Sequence, residues 1–109
     1  MLLIIKEKAS AEIIKKLSED IDGYIKVVVD IRRKILSAGG KLHTDGEALL
    51  LGDGSKQVDL WGGGVDLETG EIDFDSLINL RPNQGNTSRE VLNQDIRKQM
   101  ENIICNLLK

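Results

Sequence analysis

Ten of the eleven glycines fall between residues 39 and 85. A stretch so rich in the residue that tolerates positive φ does not read as continuous helix; it reads as short strands joined by tight turns. Glycine-poor segments with helical patterning bracket it on both sides. The same stretch holds nine of the eighteen acids and three of the fifteen bases, so it carries a charge of −6 while the remainder carries +3. A sheet built for duplex nucleic acid is normally basic, and this one is acidic, so duplex binding is not expected.

The flanks supply the helices. Met1 to Lys6, "MLLIIK", is an apolar run of strand length, which suggests a strand covered on both faces. Ser10 offers an N-cap, and Ile13, Ile14, Leu17 and Ile21 follow at helical spacing. Beyond "DIDG", the residues Tyr24, Val27, Val28, Ile31, Ile35 and Ala38 form one helical stripe. The β-branched run Ile25 to Val29 also admits a strand, but "DIRRKIL" continues the 3.6-residue period and Gly39-Gly40 offers a stop, which favours a second helix.

Asp45-Gly46 and Asp53-Gly54 predict hairpin turns. Strands are accordingly expected near Lys41 to Thr44, Glu47 to Gly52, Lys56 to Asp66 and Glu71 to Arg81, with Pro82 closing the last. Asn93 caps a C-terminal helix whose apolar face is Ile96, Met100, Ile103, Ile104, Leu107 and Leu108. The expected fold is α+β in the order β-α-α-β-β-β-β-α. It forms two layers, a mostly antiparallel sheet of about five strands with helices packed on one face, in a single domain over residues 1–109.

The apolar runs Met1 to Ile5 and Val27 to Val29 are far shorter than the roughly 20 residues a bilayer requires, and no signal-cleavage pattern follows the first. A soluble cytoplasmic protein without membrane association is therefore expected. The lone Cys105 lies in an apolar helical pattern and reads as a buried thiol.

The strings "LHTDGEALLLGDGSKQVDLWGGG" and "EIDFDSLINLRPNQGNTSR" resemble a family of small prokaryotic proteins of unknown function. The shared words are Gly-Gly-x-Leu-His, Asp-Gly-Ser-x-Gln, Asp-Leu-Trp-Gly, Ile-Asn-x-Arg-Pro and Gly-Asn-x-Ser, and the likeness covers nearly the whole chain. The resemblance implies a single-domain protein of this type and brings no activity, cofactor or catalytic residue with it.

Candidate chemistry comes from three places. His43, Asp45 and Glu47 would share one face of an unbroken strand as a nitrogen and two oxygen ligands, although a hairpin turn at Asp45-Gly46 would scatter them. His43 is also the side chain best suited to act as a general base near neutral pH. Asp59, Asp73 and Asp75 on adjacent strands could hold Mg²⁺, or simply solvate an outer face.

"RPNQGNTSR" is the third place, where Arg81 and Arg89 can grip an anion while Gly85, Asn86, Thr87 and Ser88 add hydrogen bonds. The alternative is an ordered connection in which Thr87 and Glu90 form a capping box. On the expected sheet, Trp61, Asn79 and Arg81 share the face left open by the helices.

Three functional expectations follow. One is a binding module for a small anionic ligand or a protein partner, using Trp61, Asn79, Arg81, Asn86, Ser88 and Arg89. Another is a metal-assisted hydrolase of phosphoester-like substrates, with His43 as base, Asp59 and Asp75 as Mg²⁺ ligands and Arg81 as oxyanion partner. The last is a structural homo-oligomer with no small-molecule site, a homodimer through the open sheet face being its simplest form.

Overall fold

A computed structural model describes residues 1–109. Its elements are β1 (Leu2–Ile5), α1 (Ala11–Leu17), β2 (Tyr24–Asp30), β3 (Ile35–Gly39), α2 (His43–Gly52), β4 (Leu60–Asp66), β5 (Ile72–Asp73) and α3 (Gln94–Leu108). The five strands form one antiparallel sheet in the order β1-β3-β2-β4-β5. An α+β fold with five antiparallel strands and three helices is thus present as expected. No helix is long and apolar enough to cross a membrane.

Two segments exchange their expected identities, so the observed order is β-α-β-β-α-β-β-α. The run Ile25 to Val29 is the middle of the central strand, not a helix, because both its faces are covered. Ile25, Val27 and Val29 join the larger core while Val28 joins the smaller one. "DIRRK" is the hairpin that follows. The Asp30 carboxylate accepts from the amides of Arg32 and Arg33, and Lys34 takes a left-handed φ of 58°. Gly39 is no helix stop; with φ at 97° it packs a strand end against the Met1 carbonyl, where a Cβ would collide.

The second exchange concerns residues 43–52, which form α2 instead of two strands. Asp45-Gly46 lies inside its first turns. Gly46 is there for proximity, since a Cβ at that position would stand 2.5 Å from Ser37 Oγ. Asp53-Gly54 does turn the chain, with Gly54 at φ 100°.

The helices do not share one face. Leu17 of α1 and Met100, Ile103, Ile104, Leu107 and Leu108 of α3 cover the side bearing Val27, Leu36 and Val65. Leu50 of α2 covers the opposite side with Val28, Ile35 and Leu60. Two layers become three, and the open sheet face expected to present Asp59, Trp61 and Arg81 is not formed. Trp61 is only 2% exposed within the α3-side core.

The caps at Ser10 and Asn93 form as expected, accepting from Ile13 N in α1 and from Asp95 N and Ile96 N in α3. The strand expected over 71–81 is cut to Ile72–Asp73, and the remainder forms short 3-10 turns at Leu77–Asn79 and Pro82–Gln84.

Candidate functional site

The polar segment after β5 is first of all a scaffold. Where no strand pairs with β4 beyond Asp73, the Asn79 side chain substitutes for one: its Oδ1 accepts from Gly62 N at 2.8 Å and its Nδ2 lies 2.9 Å from Gly62 O. Nδ2 is also within reach of the carbonyls of Phe74 and Arg89. Asn86 does the same for the following strip, with Nδ2 near the carbonyls of Asn79, Ser88 and Glu90 and Oδ1 accepting from Leu92 N. Both amides are buried. Their inward bonds leave the backbone of a non-repetitive segment satisfied.

Arg81 is a brace of the same kind. Its guanidinium donates to the carbonyls of Ile78, Gln57 and Leu60 and to Gln84 Oε1, and it stacks 4.3 Å from the centre of the Trp61 ring. Burial pulls its pKa down from the ordinary arginine value, and the charge of Glu47 opposes that shift. Trp61, Asn79, Arg81 and Asn86 are therefore brought together, but with their polar groups turned inward. Ser88 Oγ accepts from Glu90 N, closing a local turn where a Thr87–Glu90 capping box was expected.

That scaffold delivers Arg89 to a hollow on the α2 side of the sheet. Asn79 and Ser76 N both bond the Arg89 carbonyl, and Asn86 holds the carbonyls on either side of it. The hollow has a volume of about 140 Å³, and its polar lining is Lys26, His43, Thr44, Ser76 and Arg89. Beside it, β4 has no side chains over Gly62–Gly64, which lets neighbouring side chains lie against its backbone. A Cβ on Gly62 would meet Ser76, and one on Gly64 would occupy the place of the Tyr24 hydroxyl.

Lys26 arrives by strand alternation, on the same face as Tyr24 and Val28 and opposite Ile25 and Val27. Tyr24 crosses Gly64 to donate to Asp73 Oδ2 at 2.5 Å. Burial, followed by this bond to a carboxylate, raises the Tyr24 pKa well above that of a free phenol.

His43 is the first residue of α2, and its Nε2 lies 2.7 Å from Gly63 O. Burial is the main reason its pKa falls below the ordinary 6.5, with Lys26 acting in the same sense; the Gly63 carbonyl, Asp73 and Asp75 oppose the shift. The neutral ring then donates through Nε2 and retains an acceptor at Nδ1. Leu42 occupies the N-cap position of α2, and no side chain caps that turn. Leucine is among the poorest residues there; Asp45 N turns back to the Leu42 carbonyl, and the amides of His43 and Thr44 lack the side-chain acceptor that Ser, Thr, Asn or Asp could provide.

The remaining candidates are dispersed. His43, Asp45 and Glu47 sit on a helix, where residues two apart do not face each other. Asp75 pairs with Arg89 at 3.3 Å, and Asp59 lies in the 3-10 turn Gln57–Asp59. No group of three His, Cys, Asp or Glu side chains is arranged to hold a metal ion. A larger hollow of about 610 Å³ beside α3 has Lys34 and Cys105 as its only ionisable lining and contains none of the candidate residues.

Sequence reasoning missed Lys26 and Thr44. Lys26 is the one cation inside "YIKVVVD", and its placement becomes visible once that run is read as a strand. No curated protein and no solved structure matches the chain. A family model for a protein of unknown function matches residues 3–107. The chain therefore belongs to the DUF5674 family.

Proposed function

We propose that the protein is a binding module for a small oxyanion, a phosphate or carboxylate group, seated in the hollow at the start of α2. One observation carries this reading. A helix whose N-cap residue is Leu42, with no side chain accepting from its first turn, begins in a hollow lined by Lys26, Thr44 and Arg89. The amides of His43 and Thr44 at the start of α2, the positive end of the helix dipole and two cations all favour the same guest. Thr44 adds a hydroxyl donor.

Asp75 competes for Arg89, but that ion pair is half exposed on both sides, and such pairs contribute about 0–1 kcal/mol. An entering anion can displace it at little cost. His43, held neutral and bonded to Gly63, acts as a wall that fixes where α2 begins and not as a third cation.

The test is calorimetric titration of inorganic phosphate, with thermal unfolding alongside. Wild type should bind and gain melting temperature. Lys26→Met and Arg89→Gln should each weaken binding at least tenfold, the scale of one lost charge-assisted contact of about 1.5–3 kcal/mol. Lys34→Met, which removes a cation from the larger hollow, should change nothing. Equal binding by all four proteins would overturn the reading.

A further inference from the structure

The hollow has a second character beside its charge. Nine large apolar side chains are exposed on this protein, and the two most exposed, Leu77 at 66% and Leu42 at 58%, both line this one hollow. They come from different elements: Leu77 opens the 3-10 turn after β5, and Leu42 precedes α2. Ile78 also lines the hollow. Single exposed leucines are ordinary on a protein surface. Here two converge on the rim of a cavity that also holds Lys26, Thr44 and Arg89.

Resting on the oxyanion reading above, we infer that the ligand is amphiphilic: an oxyanion head on a short unbranched hydrocarbon tail, as in a fatty carboxylate or an alkyl phosphate. The head occupies the α2 first turn between Lys26 and Arg89, and the tail leaves between Leu42 and Leu77. A volume of about 140 Å³ accommodates the head and the first carbons, and the remainder lies over the rim. A bare inorganic ion would leave both leucines in water. A tail removes them from it, and burial of each methylene favours binding by about 0.8 kcal/mol when complete, close to a fourfold change in affinity.

The experiment compares affinities of the whole protein for inorganic phosphate, butyl, hexyl and octyl phosphate, and the carboxylates acetate to octanoate, all below micellar concentrations. Octyltrimethylammonium serves as the control with the same tail and the opposite head. Affinity should rise about twofold to fourfold per methylene and then level off, in whichever head-group series binds. Leu77→Gln should flatten that rise while leaving phosphate affinity unchanged, and octyltrimethylammonium should not bind.

If phosphate binds and tail length has no effect, the amphiphile inference fails and the oxyanion reading stands. If octyltrimethylammonium binds as tightly as octanoate, the tail is being taken up without regard to its head and the inference fails. If no compound binds, phosphate included, both readings fall. Binding of the alkyl compounds alone, with the cationic control excluded, supports the inference. The stronger of the two head-group series then identifies its source.

Discussion

At the scale of single residues, Leu42 and Asn79 are informative for opposite reasons. Leu42 stands where a capping side chain belongs, in extended backbone suited to one. Leu42→Ser should therefore stabilise the protein by about 1 kcal/mol, seen as a melting temperature about 4 °C higher. The new hydroxyl would compete for the first-turn amides, so the same variant should bind phosphate more weakly. A more stable protein with unchanged phosphate affinity would show that the amides play no part in binding. Asn79 is the converse case, a buried side chain with no amide to spare. Asn79→Ala would leave the N–H and C=O of Gly62 without partners and should cost about 2–4 kcal/mol, read from chemical denaturation with Trp61 fluorescence.

At the scale of elements, the packing of α2 on the sheet depends on one hydrogen atom at Gly46. Alanine ordinarily improves a helix interior by about 1 kcal/mol. Here the added methyl would press on Ser37 Oγ and approach Val28 Cγ2 to 3.3 Å, so Gly46→Ala should destabilise by about 1–3 kcal/mol despite the gain in propensity. Ser37 Oγ is itself buried without a partner, so Ser37→Ala alone should be neutral or slightly stabilising. Combined with Gly46→Ala, it should recover most of the loss. A double-mutant cycle by denaturant unfolding measures that coupling, and strict additivity would contradict the contact.

The same element explains why the expected strands at 41–44 and 47–52 were misplaced. Asp-Gly signals a turn through positive φ, whereas Gly46 is required for close approach, and the letters alone do not distinguish the two. The amphipathic pattern of α3 and both side-chain caps were legible because spacing and capping chemistry are local.

At the scale of the whole molecule, helices on both faces remove the open sheet on which the outward-facing expectations depended. Trp61, expected as a ligand or dimer anchor, is instead a core residue under Arg81. His43 marks the consequence for pH. Burial between α2 and β4 holds its pKa below 6.5, so the folded protein takes up that proton at a lower pH than the unfolded chain does. Its contribution to stability is complete above about pH 6.5 and is lost as pH falls through the folded-state value. Melting temperature should thus decline between pH 7 and 5 in wild type and decline less in His43→Gln. Asp20 and Asp53 contribute in a separate, more acidic window. Their pKa values lie below 3.8, Asp20 through the terminal amine and Asp53 through Arg33 and Lys6. Parallel curves for the two proteins between pH 7 and 5 would argue against a buried neutral His43.

The sequence by itself determined the class of fold, the flanking helices α1 and α3 with their caps, and the confinement of turns to the glycine-rich middle, since each of these follows from neighbours along the chain. It also marked Arg89 and His43 as residues of interest. Only the tertiary structure decided that Ile25 to Val29 is the central strand, because a β-branched run buried on both faces and an apolar helix stripe look alike until their neighbours are known. The tertiary structure likewise decided which polar groups in "RPNQGNTSR" are scaffold and which face a hollow. An amide or guanidinium spends its hydrogen bonds on whatever the fold brings within 3 Å. For Asn79, Arg81 and Asn86 that was the protein's own backbone, whereas Arg89, paired with the half-exposed Asp75, and Lys26 border an accessible hollow.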